Sequence, residues 1–179
     1  ILFLIYQVLI FNYSIAMAYD EANYKVVKKN DIFEIRLYSE RLAVETVENN
    51  QNSSFRKLFN YISGNNKTNE KIKMTTPVTR IERDGNMTMQ FYLPSKYNSR
   101  NVPNPTREDV RVLTIAGGYY AALRYSGRAS DKNFIKHKEI LEKELKDNSV
   151  TIISLPIRAT YDSPFTLPMN RRNEAMFKV

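Results

Sequence analysis

The segment LAVETVENNQNSSFRKLFNYISG, residues 42–64, combines two different hydrophobic periods. In its first seven residues apolar and polar side chains alternate, which is typical of a half-buried antiparallel strand. In its second half the apolar residues recur at helical spacing, with Ser53 or Ser54 as a candidate N-cap and Gly64 as a candidate C-terminal glycine. The segment therefore predicts a strand followed by a short amphipathic helix.

Patterns of the same two kinds continue along the rest of the chain. Segments rich in β-branched and aromatic residues, separated by Pro, Gly and Asn, predict further strands, and residues 131–146 predict a second amphipathic helix. Asp84-Gly85-Asn86 predicts a tight hairpin turn. The predicted strands are residues 32–38, 42–48, 72–82, 86–93, 110–115, 119–125, 150–158 and 174–179.

The order of these elements repeats. The strand-helix-strand-strand run that begins near Leu42 reappears near Tyr119, at an offset of roughly 78 residues. We therefore expect an α+β fold in which two βαββ units pair their strands into one curved antiparallel sheet or distorted β-barrel. One helix from each unit should cover that sheet.

The first 18 residues are uncharged and mostly apolar, and they end in Ala16-Met17-Ala18. This small-x-small ending is typical of a secretory signal peptide. A retained membrane anchor is the alternative, but the strongly apolar part stops at Phe11 and is shorter than the roughly 20 residues that a span needs. We predict a signal peptide at residues 1–18, a single domain at 19–179, and export to a periplasm or through a secretory route. No permanent membrane span is expected after cleavage.

Composition excludes several kinds of site. The 179 residues include no Cys and one His, His137, so disulfides, thiolate metal sites and Cys nucleophiles are excluded. We find no Gly-rich phosphate loop and no Ser nucleophile motif. The net charge is +8, but Lys and Arg are scattered without a basic run, which favours a solvated basic surface over a nucleic-acid site. We predict a protein that is not an enzyme and does not bind nucleic acid.

Seven short motifs follow one another along the chain. They are Phe33-Glu34-Ile35-Arg36-Leu37-Tyr38, Phe55-x-x-Leu58-x-x-Tyr61-Ile62-x-Gly64-x-Asn66, Lys71-Ile72-x-Met74-Thr75-x-Pro77-Val78, Phe91-Tyr92-Leu93-Pro94, Tyr125-Ser126-Gly127, Tyr161-Asp162-x-Pro164 and Arg171-Arg172-Asn173-Glu174. In this order they resemble the SOUL family of haem-binding proteins, over about residues 23–179. The resemblance implies a distorted β-barrel with two helices, related to bacterial effector-binding domains.

The resemblance also implies that haem or another tetrapyrrole binds non-covalently in a shallow hydrophobic groove between the first helix and the loop before the last strand. A planar macrocycle gains most from broad apolar contact, and its propionates favour cations at the rim. The groove residues that carry over are Phe55 and Phe59 from the helix and Tyr161, Phe165, Leu167, Pro168 and Met169 from the loop, with Arg56, Lys57 and Arg171 at the rim.

Structural roles compete with these assignments. Leu58 and Ile62 are expected in the core, the apolar loop could fold onto the sheet, and the Arg-Arg-Asn-Glu motif could fix the last strand through buried Arg–carboxylate pairs. In some SOUL relatives a His, proposed as an axial ligand, stands where this chain has Leu37. Iron would then be bound by His137, Met169, Tyr61 or Tyr161, or by no protein ligand, and His137 is expected on the surface.

We predict an exported, monomeric carrier or buffer of haem or porphyrin. The alternative is an effector-binding or protein-interaction module that uses the same groove for a different apolar ligand or a partner peptide. A third hypothesis, an enzyme of tetrapyrrole breakdown, finds no nucleophile or metal cluster in the sequence.

Overall fold

A computed structural model describes residues 20–47 and 51–179. The predicted signal peptide, residues 1–18, lies outside the described residues. The strands are β1 (Asp20–Glu21), β2 (Tyr24–Lys29), β3 (Glu34–Tyr38), β4 (Arg41–Val47), β5 (Thr75–Thr76), β6 (Val78–Arg83), β7 (Asn86–Tyr92), β8 (Arg111–Ile115), β9 (Gly118–Tyr125), β10 (Ile157–Thr160) and β11 (Asn173–Lys178). The helices are α1 (Gln51–Ile62) and α2 (Asp131–Asp147), and a 3-10 turn covers Pro168–Asn170.

Nine strands form one antiparallel sheet in the order β2-β3-β9-β11-β10-β6-β7-β4-β8, and β1 pairs with β5 in parallel. The units β4-α1-β6-β7 and β9-α2-β10-β11 lie side by side, joined where β10 pairs with β6. The predicted α+β fold with two βαββ units is therefore confirmed. The strand that precedes each unit pairs with the other unit. Strand β3, which precedes β4, pairs with β9, and strand β8, which precedes β9, pairs with β4.

The sheet curls until strands far apart in its order meet. Arg41 of β4 lies 5.4 Å from the ring centre of Tyr120 of β9, although five places separate these strands in the sheet. At the same end the links before β4 and β9 pack closely, since a Cβ atom on Gly117 would lie 2.8 Å from the carbonyl oxygen of Tyr38. The inner side of the curl is filled by one cluster of buried residues, namely Tyr38, Ile81, Tyr120, Ala122, Ile157, Ala159, Tyr161 and Met176.

Both helices cover the outer side of the curled sheet. Helix α1 packs Leu58 and Ile62 against Phe91 and its neighbours on β4 and β7, as expected for two core residues. Helix α2 packs Leu141 and Leu145 against β9 and β11. No helix in the described part of the chain is long and apolar enough to cross a membrane.

Several predicted boundaries are wrong. Helix α1 begins at Gln51, so Ser53 and Ser54 lie inside it and neither is the N-cap; Ser54 is buried. The strand predicted at 72–82 is interrupted at Pro77, which has no N–H to donate to a ladder and follows a cis peptide bond.

Two other differences involve whole strands. The strand predicted at 150–158 is confined to β10, because Pro156 cannot pair through its nitrogen and the residues before it are irregular. Strand β2 was not predicted. Its sequence, YKVVKK, is largely exposed at the edge of the sheet, where lysines are common because they discourage pairing with other chains.

Candidate functional site

The exposed side of α1 carries two stacked aromatic rings. Phe55 and Phe59 are one helical turn apart, and their ring centres are 6.0 Å apart with an angle of 14° between the ring planes. Phe55 also contacts the edge of Phe91 at 5.1 Å, which fixes the pair to the sheet. The two side chains remain 41% and 47% exposed. This arrangement provides a rigid apolar surface on the outer side of the molecule.

The loop between β10 and β11 carries a second apolar surface. Phe165, Leu167 and Met169 are 95%, 62% and 70% exposed, and Pro168 is half-buried. The loop therefore does not fold its bulky groups onto the sheet. Clusters of exposed large apolar side chains commonly mark sites for a ligand or partner.

The loop is braced even though its apolar groups are exposed. The guanidinium of Arg171 donates from Nε to the carbonyl oxygen of Thr166 at 2.8 Å and from Nη2 to that of Pro164. The N–H of Gly127 donates to the carbonyl oxygen of Pro168 at 2.8 Å, which fixes the 3-10 turn beside the start of α2. The donors of Arg171 thus hold the loop in shape, whereas its predicted position was the rim of the groove.

The register of the sheet places the loop near the phenylalanine pair. Thr160, the last residue of β10, lies opposite Val78 of β6, which lies opposite Phe91 of β7. The loop therefore leaves the sheet two strand spacings, about 10 Å, from the strand beneath Phe55. The two apolar surfaces flank the same end of β6 and β10.

The two cations predicted on α1 differ in their surroundings. The ammonium of Lys57 forms an ion pair with Asp109 at 2.9 Å. Hydrogen bonds from Arg107 and Lys57 hold the pKa of the Asp109 carboxyl well below its usual value. Arg56 is exposed and has no ion pair with any described carboxylate. Arg56 is thus the cation on this helix that can meet a new anion without losing a partner.

Tyr161 lies apart from the exposed loop surface. Its side chain is buried inside the curl, where its hydroxyl donates to Glu174 at 2.8 Å and the guanidinium of Arg172 lies 3.6 Å from its ring centre. Burial raises the pKa of Tyr161 well above its usual value, so the phenol stays neutral. Of the loop residues that carry over from the resemblance, Tyr161 is therefore the one directed inward.

The sheet between the two helices carries an arginine pair that the sequence analysis did not identify. Arg158 of β10 lies directly opposite Arg80 of β6. Its guanidinium bonds to Asp131 at 2.7 Å and lies 4.6 Å from the ring centre of Phe134, both on α2. The Nη1 atom of Arg158 is buried without a hydrogen-bond partner among the described residues. The strip lies beside the apolar surfaces, with the charge of Arg158 paired to that of Asp131.

The four candidate iron ligands lie in different environments. The hydroxyl of Tyr61 donates to the carbonyl oxygen of Pro103 at 2.7 Å, and that of Tyr161 is held by Glu174. His137 is half-buried, stacked on Tyr125 at 4.1 Å, with Nδ1 at 2.7 Å from the carbonyl oxygen of Asn133. A carbonyl oxygen only accepts, so Nδ1 of His137 is the donor of this hydrogen bond. Met169 is the candidate that lies on the exposed loop.

Comparison with known proteins identifies relatives of this chain. The sequence model of the SOUL heme-binding protein family matches residues 19–178. Human heme-binding protein 2 is 31% identical over 130 residues, which cover 68% of this chain and 62% of the human protein. Mouse heme-binding protein 2 is 29% identical over 134 residues, with the same two shares. The chain thus spans less than two thirds of the length of either relative.

Solved structures support the same fold. The C-terminal domain of EcmrR superposes with a TM-score of 0.57 at 14% identity, covering 87% of this chain and 96% of that domain. A hydrolase from Listeria innocua superposes with a TM-score of 0.59 at 8% identity, covering 85% of this chain and 93% of the hydrolase. At these identities the likeness confirms the fold class and carries no information about activity.

Proposed function

We propose, because the chain belongs to the SOUL haem-binding protein family, that it binds haem or a related tetrapyrrole non-covalently on the outer side of the sheet. The observation that supports this location is the exposure of large apolar groups on two braced elements. These groups are Phe55 and Phe59 on α1, and Phe165, Leu167 and Met169 on the loop before β11. We refer to the surface formed by these five residues as the apolar groove.

Apolar contact is sufficient to account for binding of a macrocycle in the apolar groove. Each 100 Å² of apolar surface removed from water contributes about 2.5 kcal/mol, and about 1.4 kcal/mol changes the affinity tenfold. The stacked rings of Phe55 and Phe59 are already held in place, so little side-chain entropy is lost when a flat ligand covers them. Packing therefore dominates the affinity.

The propionates of a tetrapyrrole require cations at the edge of the groove. Arg56 supplies the first of these, since no described carboxylate competes for it. Lys57 would have to share its ammonium with Asp109. Arg171 shapes the loop through its bonds to backbone carbonyls and acts on the ligand indirectly.

Bound haem would supply iron, and Met169 is the candidate side chain on the apolar groove that could bind it. The hydroxyls of Tyr61 and Tyr161 are engaged within the protein, and His137 stacks on Tyr125 beneath α2. We therefore propose that a protein ligand to iron contributes little, so that haem and metal-free porphyrin bind with similar affinity. The role that fits such binding is that of an exported carrier or buffer.

Titration of the purified protein with haemin and with protoporphyrin IX tests the proposal. The double variant Phe59→Ala/Phe165→Ala should weaken both ligands at least about tenfold, because it removes one large apolar contact from each side of the groove. The matched control is Ile153→Ala/Leu155→Ala, which removes two exposed apolar side chains near the far end of β11. The control should bind both ligands as the parent protein does.

Two single variants test the contribution of iron ligation. His137→Ala and Met169→Leu should leave the haemin affinity within about threefold, since the leucine preserves apolar contact and lacks a thioether. Unchanged near-ultraviolet circular dichroism must show that each variant is folded. Normal binding by the groove variant, together with loss of binding and a shifted Soret band in His137→Ala, would contradict the proposed location.

A further inference from the structure

A cavity of about 770 Å³ opens at one end of the curled sheet, where β4 begins and β7 and β8 end. Its volume lies within the range of small-molecule sites, about 300–1,000 Å³. The walls mix apolar groups with hydroxyls and amides. The lining residues used below are Arg41 and Tyr92, and the acidic residues at the cavity are Asp20, Glu21 and Glu40. We refer to it as the Arg41 cavity.

The Arg41 cavity is separate from the apolar groove. Phe91 and Tyr92 are consecutive residues of β7, and consecutive side chains of a strand point to opposite faces. Phe91 lies under Phe55 on the outer side, whereas Tyr92 lies beneath the guanidinium of Arg41. A ligand in the cavity and a tetrapyrrole in the groove would thus be on opposite sides of the sheet.

Arg41 is held between aromatic rings rather than by carboxylates. Its guanidinium carbon lies 4.1 Å from the ring centre of Tyr38, 4.6 Å from Tyr92 and 5.4 Å from Tyr120. Burial raises the pKa of Tyr38 to about 12 and also raises that of Tyr120, so these phenols do not neutralise the arginine. No described carboxylate forms an ion pair with Arg41, and its Nε is buried without a hydrogen-bond partner.

The acids around the cavity are mostly committed elsewhere. Asp20 pairs with Lys73 at 3.0 Å, and Glu21 makes a bidentate pair with Arg172 at 2.8 and 2.9 Å. Glu40 is exposed next to Arg41 without bonding to it. The positive charge of Arg41 is therefore uncompensated by a direct partner. Arg36 and Arg172, on the same side of the sheet, differ from it, since both bind Glu174.

We infer that the Arg41 cavity binds a small organic anion whose carboxylate pairs with the guanidinium of Arg41. Cation–π contact uses the flat faces of a guanidinium, while its N–H donors lie in the plane and suit the two oxygens of a carboxylate. The apolar part of the ligand would lie against the ring of Tyr92. This site is independent of the proposed tetrapyrrole groove.

Binding of 1-naphthoate, an aromatic carboxylate, tests the inference by calorimetry and by nuclear magnetic resonance. The parent protein should bind it saturably, and the Arg41 Nε–H resonance should shift during the titration. Uncharged 1-naphthalenemethanol should bind at least about tenfold more weakly, because it has no charge to pair with the arginine. Equal affinity for the two compounds, or no saturable binding of 1-naphthoate, would overturn the inference.

Three variants locate the site. Arg41→Gln should weaken 1-naphthoate at least about tenfold, and Arg41→Lys should weaken it less, because lysine keeps the charge and loses the planar fork. Arg128→Gln, which removes an exposed arginine elsewhere, should bind normally. Haemin affinity should be unchanged in Arg41→Gln. If Arg41→Gln does not fold, Arg41→Lys is the deciding variant. A normal 1-naphthoate affinity in Arg41→Lys, together with an unshifted Nε–H resonance in the parent protein, would then overturn the assignment. Loss of haemin and 1-naphthoate together in a folded Arg41→Gln would overturn the separation of the two sites.

Discussion

Glu174 is the centre of a buried charge network. Arg36 donates to its two oxygens at 2.7 and 3.1 Å, Arg172 donates at 2.9 Å, and the hydroxyl of Tyr161 donates at 2.8 Å. The Arg-Arg-Asn-Glu motif predicted a buried Arg–carboxylate pair, and the pair of Arg172 with Glu174 confirms it. The second arginine comes from a motif 138 residues earlier, and only the pairing of β3 beside β9 and β11 brings it close.

We predict that Glu174→Gln lowers the free energy of unfolding by about 3–5 kcal/mol at neutral pH, because it removes the buried carboxylate that pairs with both Arg36 and Arg172. Burial alone would raise the pKa of Glu174, but hydrogen bonds from Arg36 and the charges of Arg36 and Arg172 lower it. A lowered pKa in the folded state stabilises the fold above the ordinary carboxyl pKa of 4.5. The stabilisation is lost as the pH falls from there through the lowered pKa.

Urea unfolding between pH 3 and pH 8 measures this effect. The difference between the parent and Glu174→Gln should be largest above the ordinary carboxyl pKa and should shrink in acid. The control Glu142→Gln removes a half-exposed carboxylate paired with Lys138 on α2, and it should change stability by less than about 0.5 kcal/mol. A difference that stays constant down to pH 3 would show that the charge of Glu174 is not the cause.

The structure changes the interpretation of Leu37 as the position of a missing iron ligand. The sequence resemblance places it where some relatives have a proposed axial histidine. Leu37 lies on β3 opposite Tyr119 of β9, whereas the residues of the apolar groove lie on α1 and on the loop before β11. Position 37 is therefore not among the lining residues of that groove. The replacement of histidine by leucine therefore does not argue against tetrapyrrole binding in that groove.

At the scale of elements, α1 carries apolar side chains on two faces, which the sequence pattern showed as a single hydrophobic stripe. Leu58, Tyr61 and Ile62 are buried against the sheet, while Phe55 and Phe59 face outward. The spacing of Phe55, Leu58, Phe59 and Ile62 predicted the helix correctly. It could not separate the faces, because an outward phenylalanine and an inward one obey the same period of 3.6 residues.

The adjacent residues Leu58 and Phe59 should therefore respond differently to the same substitution. Leu58→Ala should lower the free energy of unfolding by about 2–5 kcal/mol, because the leucine is fully buried and its loss leaves a cavity. Phe59→Ala should cost about 0.5–1.5 kcal/mol, the value of one aromatic contact, and should weaken haemin binding. Urea unfolding and haemin titration measure the two effects. A larger stability loss in Phe59→Ala than in Leu58→Ala would contradict the orientation of α1.

Elements were predicted well where local chemistry decides them. The hairpin between β6 and β7 has positive φ angles of 51° at Asp84 and 76° at Gly85, as its Asp-Gly sequence predicts. Helix α2 begins after Ser130, which accepts from the N–H of Asn133. Prediction failed where pairing with distant strands decides. Residues 150–156 have a strand-like composition, yet they form no strand and bond to β11 at Lys178, through the N–H of Ile153 and the hydroxyl of Ser154.

At the scale of the molecule, the repeated order of elements predicted the fold class but not the exchange of β3 and β8 between the units. That exchange brings together two links, at Tyr38 and Gly117, which are distant in sequence. The Arg41 cavity could not be predicted for a similar reason, since it is formed by several separate segments. Arg80 and Arg158, at the offset predicted between the repeats, become neighbours only because β6 and β10 join the units.

The segment just after the predicted signal peptide is part of the fold. Asp20 and Glu21 form β1 beside β5, and Glu21 holds Arg172, which also binds Glu174. We predict cleavage between Ala18 and Tyr19, which removes the apolar leader and keeps Glu21. Intact-mass measurement of the exported protein should give the mass of residues 19–179, and a mature chain that retains Phe11 to Ala18 would contradict the cleavage site.

Removal of the segment before Tyr24 should destabilise the fold. The free energy of unfolding of a chain that begins at Tyr24 should be about 1.5–3 kcal/mol lower than that of a chain that begins at Tyr19, because Arg172 loses its charged hydrogen bonds to Glu21. Equal urea midpoints for these two chains would show that Glu21 does not stabilise the fold.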